Sequence, residues 1–241
     1  SLASVDYKYL AESLDWKEWL ETRQAEVGQR SLRLLDVACG SGNFPLALGQ
    51  YAKISVAKIF PVVYALLDPS AFSISEAREV LLPPFVAGAE FETTLQELPC
   101  DRGAFDILWA THALYAVPEK ELEVALERFI FAMSGAGFIA HASVRSHYLR
   151  FYQHYLNGFK GGEGEPYASA EQIIQMFTKM GVSHKVEKIS YENGVPESSI
   201  SQVEGYLQRC IFDDTIDLEA MRSNSTTGPY LDNCLQDGHW R

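Results

Sequence analysis

Residues 32–43 run Leu32-Arg33-Leu34-Leu35-Asp36-Val37-Ala38-Cys39-Gly40-Ser41-Gly42-Asn43. A short apolar run that stops at a Gly-x-Gly turn, with helical spacing over residues 44–51 behind it, predicts strand, tight turn and helix. Glycines at 40 and 42 let the backbone pass close to a ligand where a Cβ would collide, and the following helix aims its first N–H groups at the same spot. The turn is too short for a P-loop and has no Lys-Ser/Thr ending, and position 45 is Pro where a dinucleotide fingerprint has its third glycine. A nucleoside triphosphate is disfavoured, and NAD is not favoured.

Working outward, residues 62–67 form a second apolar run, which ends at Asp68-Pro69-Ser70 and is followed by helical spacing over 74–82 until Pro83-Pro84. Residues 85–93 read as a weaker third strand and 105–110 as a fourth. A helix over 119–133 is broken by Gly135-Ala136-Gly137 ahead of a fifth strand at 138–142. Strands alternating with helices imply βαβ units and a parallel sheet covered on both faces. On the N-terminal side, residues 6–22 carry the pattern of an amphipathic helix. On the C-terminal side come an aromatic segment at 148–159, a helix from the N-cap Ser169 with Gln172 at the capping-box position, an alternating strand at 184–191 and a helix at 199–212. The expected whole is one α/β domain over 1–241, with an N-terminal helical lid at 1–30, a binding core at 31–142 and capping and closing elements at 143–241.

With 47% hydrophobic and 22% charged residues the composition is that of a soluble globular chain, and 241 residues suit one domain with a cap better than two cores. Twenty Lys+Arg against 32 Asp+Glu give a net charge of −12, which argues against nucleic acid and against an anionic membrane surface as partners. No apolar stretch has the length of a spanning helix. The start, Ser1-Leu2-Ala3-Ser4, shows no secretory signal and no Met. Cys39, Cys100, Cys210 and Cys234 form no C-x-x-C pair and have no His at ligand spacing, so no metal site and no disulfide framework is expected, and a cytoplasmic setting is the simplest.

In open α/β sheets ligands bind beyond the carboxyl ends of the strands. The first strand delivers the glycine turn and the second delivers Asp68, 28 residues after Gly40, where a carboxylate can accept both ribose hydroxyls. These residues resemble the motifs of class I S-adenosylmethionine (SAM) dependent methyltransferases. Residues 34–43 resemble the first motif and Leu67-Asp68-Pro69-Ser70 the second. Thr94-Leu95 ahead of Glu97-Leu98-Pro99 matches the third, with Thr94 where an acidic residue is common, and Phe105 to His112 the fourth. The resemblance spans residues 32–140. It implies a doubly wound, mostly parallel Rossmann-like sheet of seven strands with a helical substrate cap, the last strand missing or irregular because only 184–191 is obvious among the closing pair. It also implies SAM as cofactor, with S-adenosylhomocysteine as product, held by Ala38, Gly40, Gly42, Asp68, Pro69, Ser70, Thr94, Leu95, Ala110 and Thr111.

A finer resemblance, carried by residues 76–82, 114–117, 148–159 and 167–181, is to the histamine N-methyltransferase branch. That branch has Gln at the position of His112, two pocket Trp residues at Tyr148 and Tyr152, and an aromatic lid residue nearest to Tyr9; its pocket Glu has no counterpart here, so the substrate does not carry over. The resemblance implies His112 as the catalytic group that orients or deprotonates the acceptor, with Tyr9, Tyr115, Tyr148 and Tyr152 around the substrate. His141 and His147, near the fifth strand's end, suit structural roles better. The function implied is methyl transfer to a small nitrogenous or aromatic metabolite, chiefly N-methylation. The alternatives are an O-methyltransferase of a natural-product intermediate and a SAM-binding module without turnover.

Overall fold

The computed structural model describes residues 2–192 and 194–240. Five strands, β1 (Arg33–Val37), β2 (Val62–Leu67), β3 (Phe85–Phe91), β4 (Phe105–Thr111) and β5 (Met133–Ala140), form one sheet in the order β3-β2-β1-β4-β5. All four pairings are parallel. The chain therefore leaves β1 toward one edge and returns past it to β4, which makes the C-terminal end of β1 the point where the strand order reverses.

Alternation along the strands sorts the core into two layers. Leu34, Tyr64, Leu66, Ile107 and Trp109 pack on one face with residues of α1 (Leu2–Glu12), α2 (Trp16–Val27), α3 (Asn43–Tyr51) and α4 (Ala71–Glu79). Leu35, Val37, Ala65, Leu67, Leu108 and Ala110 pack on the other with α5 (Glu119–Ala132) and α7 (Ala170–Lys179). A third, separate core joins α6 (His147–Phe159), α8 (Ile200–Ile211), α9 (Leu218–Ser223) and α10 (Thr227–Cys234) to Trp240. Beside it, β6 (Val195–Pro196), β7 (Leu235–Gln236) and β8 (His239–Trp240) make a small antiparallel sheet in the order β6-β8-β7.

Three expectations are corrected. The amphipathic stretch 6–22 is two helices, because Asp15 caps α2 by accepting the Glu18 amide at 2.9 Å while Ser13 and the Trp16 indole both turn back onto the Leu10 carbonyl. Second, α5 passes into β5 with no glycine break: Met133 ends the helix in extended conformation, and Gly135 lies inside the strand, where a Cβ would stand 2.4 Å from the Asp106 carbonyl oxygen. Third, residues 184–191 form no strand. They run without a ladder partner, with Val186 and Ile189 exposed, so their alternation buries no face and β5 is the sheet's outer strand among the described residues. The capping box of α7 is present in both directions, Ser169 to Gln172 and back.

At the base of the sheet, Asp106 on β4 accepts from the guanidinium groups of Arg30 and Arg33 and from the Arg33 amide at 2.6–3.1 Å. Burial alone would raise its carboxyl, yet these bonds hold it well below the usual carboxylate range. They pin the start of β1 to β4 and so set the register that brings both strand ends level at the opposite side.

Candidate active site at the strand ends

The turn after β1 is held to its neighbours by backbone bonds. The Cys39 amide donates to the Leu67 carbonyl at 3.0 Å, the Gly42 amide to the Cys39 carbonyl at 3.0 Å, and the Asp68 amide to the Phe91 carbonyl at 3.2 Å. Ala38 (φ 49), Gly40 (φ 50) and Gly42 (φ 72) all take left-handed backbone, which bends the chain sharply into α3. A Cβ on Gly42 would lie 2.5 Å from Val80 Cγ2, whereas one on Gly40 would meet nothing within 4 Å. Gly42 is thus required by packing, and Gly40 leaves room beside the turn. No side chain caps α3 at its N-terminus, so its first amides are not spent on a side-chain cap.

Asp68 completes the turn. Its Oδ2 accepts the Gly40 amide at 3.1 Å and its Oδ1 the Ser70 amide at 2.9 Å, so both oxygens are oriented and each keeps a lone pair for a further donor. Pro69 and Ser70 are exposed beside it, with the Ser70 hydroxyl accepting the Ser73 amide as the cap of α4. Thr94 is exposed past β3. Leu95 and Ala110 turn their side chains into the second core layer, so only backbone remains for a ligand at those two positions.

On the other side of the switch point, β4 ends in buried Thr111 and in His112, whose φ is 55 and whose amide donates to the Ala140 carbonyl at 2.9 Å. Burial pushes His112 down to about 4, so its ring is neutral at pH 7. His112 Nδ1 lies 3.0 Å from the Tyr115 hydroxyl, which also accepts the Ala142 amide at 3.0 Å. Tyr115 packs against Tyr148 (ring centroids 4.6 Å) and His141 (4.1 Å), and Tyr148 against Tyr167 (5.5 Å). Tyr152 lies one ring further out, stacked on Tyr167 at 3.6 Å. His112, Tyr115 and Tyr148 are thus brought together, and Tyr152 joins them through Tyr167.

Tyr9 is not in that group; it stacks on Tyr191 at 4.4 Å. The aromatic of α1 that meets His112 is Tyr7, edge-on at 5.5 Å and bonded to Thr111. Its phenol is raised first by burial and then by Asp36 and Asp6. Helical spacing held this signal, since Tyr7 precedes Leu10 and Ala11 by three and four residues and shares their buried face. Asp36, to which the sequence reading gave no role, and His141, read as structural, support the site. Asp36 accepts from the Tyr64 hydroxyl at 2.7 Å, and burial pushes it up to about 7. His141 Nε2 lies 2.8 Å from the Ala168 carbonyl, leaving Nδ1 buried with no hydrogen-bond partner among the described residues.

No family model and no curated protein matches the chain. Solved structures do. The YcgJ protein from Bacillus subtilis aligns over 87% of this chain and 85% of its own, at 15% identity and a TM-score of 0.50. Magnesium protoporphyrin IX methyltransferase from Synechocystis PCC 6803 aligns over 78% and 75% at 14% identity and 0.49. A possible histamine N-methyltransferase from Thermotoga maritima aligns over 67% and 69% at 19% identity and 0.42. The chain shares a doubly wound, Rossmann-like α/β fold with the YcgJ protein. In this fold the glycine turn and Asp68 stand at the switch-point crevice, with His112 across from them just past the end of β4. No helix of the described residues is long and apolar enough to cross a membrane, and no group of three or more His, Cys, Asp or Glu side chains among them could hold a metal ion.

Proposed function

We propose that this protein is a SAM-dependent methyltransferase acting on a small molecule through a neutral nitrogen. The observation that carries the proposal is the Asp68 carboxylate bridging the Gly40 and Ser70 amides at the β1–β2 switch point. The residues suit SAM. Asp68 keeps lone pairs for two ribose hydroxyls, the room beside Gly40 admits a ligand backbone, and the Asp68 carboxylate at the mouth of the crevice favours a cationic sulfonium. When bound, SAM supplies an electrophilic methyl: the acceptor's lone pair forms the new C–N bond, sulfur keeps the electrons of the broken C–S bond as S-adenosylhomocysteine, and the nitrogen's proton leaves to solvent.

The chain's own part is to orient and to exclude water. Tyr7 closes over Thr111 and His112 from α1, while Tyr115, Tyr148 and Tyr167 form an aromatic wall. A general base works best with a pKa near the operating pH. His112 at about 4 is a poor one, burial raises the Tyr7 and Tyr115 phenols, and Asp36 is engaged by Tyr64. A hydroxyl acceptor would need its proton removed; a neutral amine or ring nitrogen attacks unaided, and this favours N- over O-methylation.

Calorimetry with SAM is the first test: the protein binds SAM, and Asp68→Ala weakens binding at least tenfold. No binding by the intact protein, or unchanged binding by the variant, sinks the proposal. Incubation of a metabolite extract with methyl-labelled SAM, read by mass spectrometry, then identifies the acceptor. Release of S-adenosylhomocysteine separates an enzyme from a binding module.

A further inference from the structure

Tyr115 is 6% exposed, and its hydroxyl oxygen has two polar neighbours at 3.0 Å, the Ala142 amide and His112 Nδ1. The amide can only donate, so the phenol oxygen accepts from it. The phenol hydrogen then needs an acceptor of its own, and His112 Nδ1 is the one within hydrogen-bond distance among the described residues. A buried O–H left without an acceptor loses its water partner and gains none, which the fold avoids. The hydrogen therefore goes to Nδ1, which must carry a lone pair, and the neutral ring carries its proton on Nε2. Backbone geometry reinforces the placement. His112 takes left-handed backbone with its amide hydrogen-bonded to the Ala140 carbonyl, and the Tyr115 ring that supplies the hydroxyl is itself packed against His141 and Tyr148.

We propose that Tyr115 is a positioning residue that locks His112 as an Nε2–H hydrogen-bond donor, and that the methyl acceptor presents a lone pair to that N–H. A donor aimed at the attacking nitrogen would occupy the very electrons it needs. The lone pair facing His112 therefore belongs to a second heteroatom, a carbonyl oxygen or another nitrogen, set apart from the nucleophile. The acceptor class is a small molecule with one nucleophilic nitrogen and one separate, uncharged hydrogen-bond acceptor. A protonated ammonium facing His112 is excluded, because it would set N–H against N–H. The acceptor class rests on the methyltransferase reading, with His112 standing across the crevice from the Asp68 turn, but the tautomer lock is a property of the free protein.

The test is long-range ¹H–¹⁵N correlation spectroscopy of the ligand-free protein at pH 7, with the His112 ring assigned by its loss in His112→Gln. In the wild type His112 is expected as the Nε2–H tautomer with Nδ1 shifted as a hydrogen-bonded nitrogen. In Tyr115→Phe the Nδ1 resonance moves to the position of an unbonded imidazole nitrogen or splits between tautomers. An Nδ1–H tautomer in the wild type overturns the proposal, and that measurement does not depend on the variant folding. Unchanged His112 nitrogens in a folded Tyr115→Phe overturn it as well. Failure of the wild type to bind SAM in parallel calorimetry removes the methyltransferase proposal but leaves the tautomer result standing, so the two failures are told apart.

Discussion

The Tyr191 hydroxyl donates to Asp6 Oδ1 at 2.7 Å, a bond between residues 185 positions apart that ties α1 to the stretch after α7. The Tyr9 ring stacks on Tyr191 beside it, and Asp6 is raised by burial with the Tyr191 bond offsetting part of that shift. Because α1 also carries Tyr7 over His112, this bond adds to the packing of Leu10 and Ala11 in fixing where that helix sits. A charged hydrogen bond and a stacked pair are together worth about 2–4 kcal/mol. Tyr191→Ala should therefore raise amide exchange across α1 at least tenfold while the sheet amides stay as they are, measured by hydrogen–deuterium exchange and mass spectrometry. Equal protection of α1 in both proteins would show that the anchor lies elsewhere.

The two glycines of the turn separate folding from binding. Gly42→Ala pushes a Cβ into Val80 and Ala77 and should destabilise the protein by about 2–4 kcal/mol from overpacking and left-handed strain. Gly40→Ala meets no neighbour and should cost only the strain, about 1–2 kcal/mol, while its methyl group obstructs the room beside Asp68. Urea denaturation and SAM calorimetry of the pair should show a stability defect that is larger in Gly42→Ala, and a binding loss in Gly40→Ala that exceeds its stability loss.

Acidification should unfold the protein through its histidines. Burial pushes His112, His141 and His147 each down to about 4, against about 6.5 in the unfolded chain. Between those values the unfolded state binds protons that the native state does not, so stability falls as pH drops, by about 1.4 kcal/mol per unit per histidine. Asp36, raised to about 7, works in the opposite direction, protonated in the native state between about 4 and 7 and so losing stability as pH rises. Three histidines against one carboxyl leave a net loss on going from pH 6.5 to 4.5. Thermal melts should show it, and His147→Phe should flatten the curve without affecting SAM binding.

Asp106→Asn removes the negative charge and turns one of the two acceptor oxygens that Arg30 and Arg33 share into a donor. Both guanidinium groups are partly solvated, so the loss should be about 2–3 kcal/mol and not the larger figure of a fully buried pair. Denaturant titration checks it. SAM affinity at low temperature should remain within about twofold, since the network lies at the end of the sheet remote from the turn.

Much of the cofactor half was legible because it is written locally. The run at residues 33–37, the turn glycines, Asp68 and the Ser169–Gln172 box each carry their own short-range signal, and the strands and helices fall where those signals put them. What sequence order hid is settled by tertiary contact. The Asp15 cap that splits α1 from α2 was visible only as one more polar residue, and the glycines of β5 look like a helix stop until the closeness of β4 explains them. Alternation at 184–191 carried no weight without a strand to pair with. In the site, Tyr7 and His141 owe their places to residues more than 25 positions away, Thr111 with His112 for the first and Ala168 for the second.

The third core, from Phe151 and Tyr155 through Val203 and Leu207 to Met221 and Leu231, shares no buried residue with the two layers around the sheet. Changes packed inside it should add independently to changes near Asp68, because sites without common partners couple weakly. Tyr148 and Tyr152 pack against that core as partly buried side chains. The chain is thus divided for engineering: residues of the third core can be changed one by one while the sheet and its glycine turn keep their own packing.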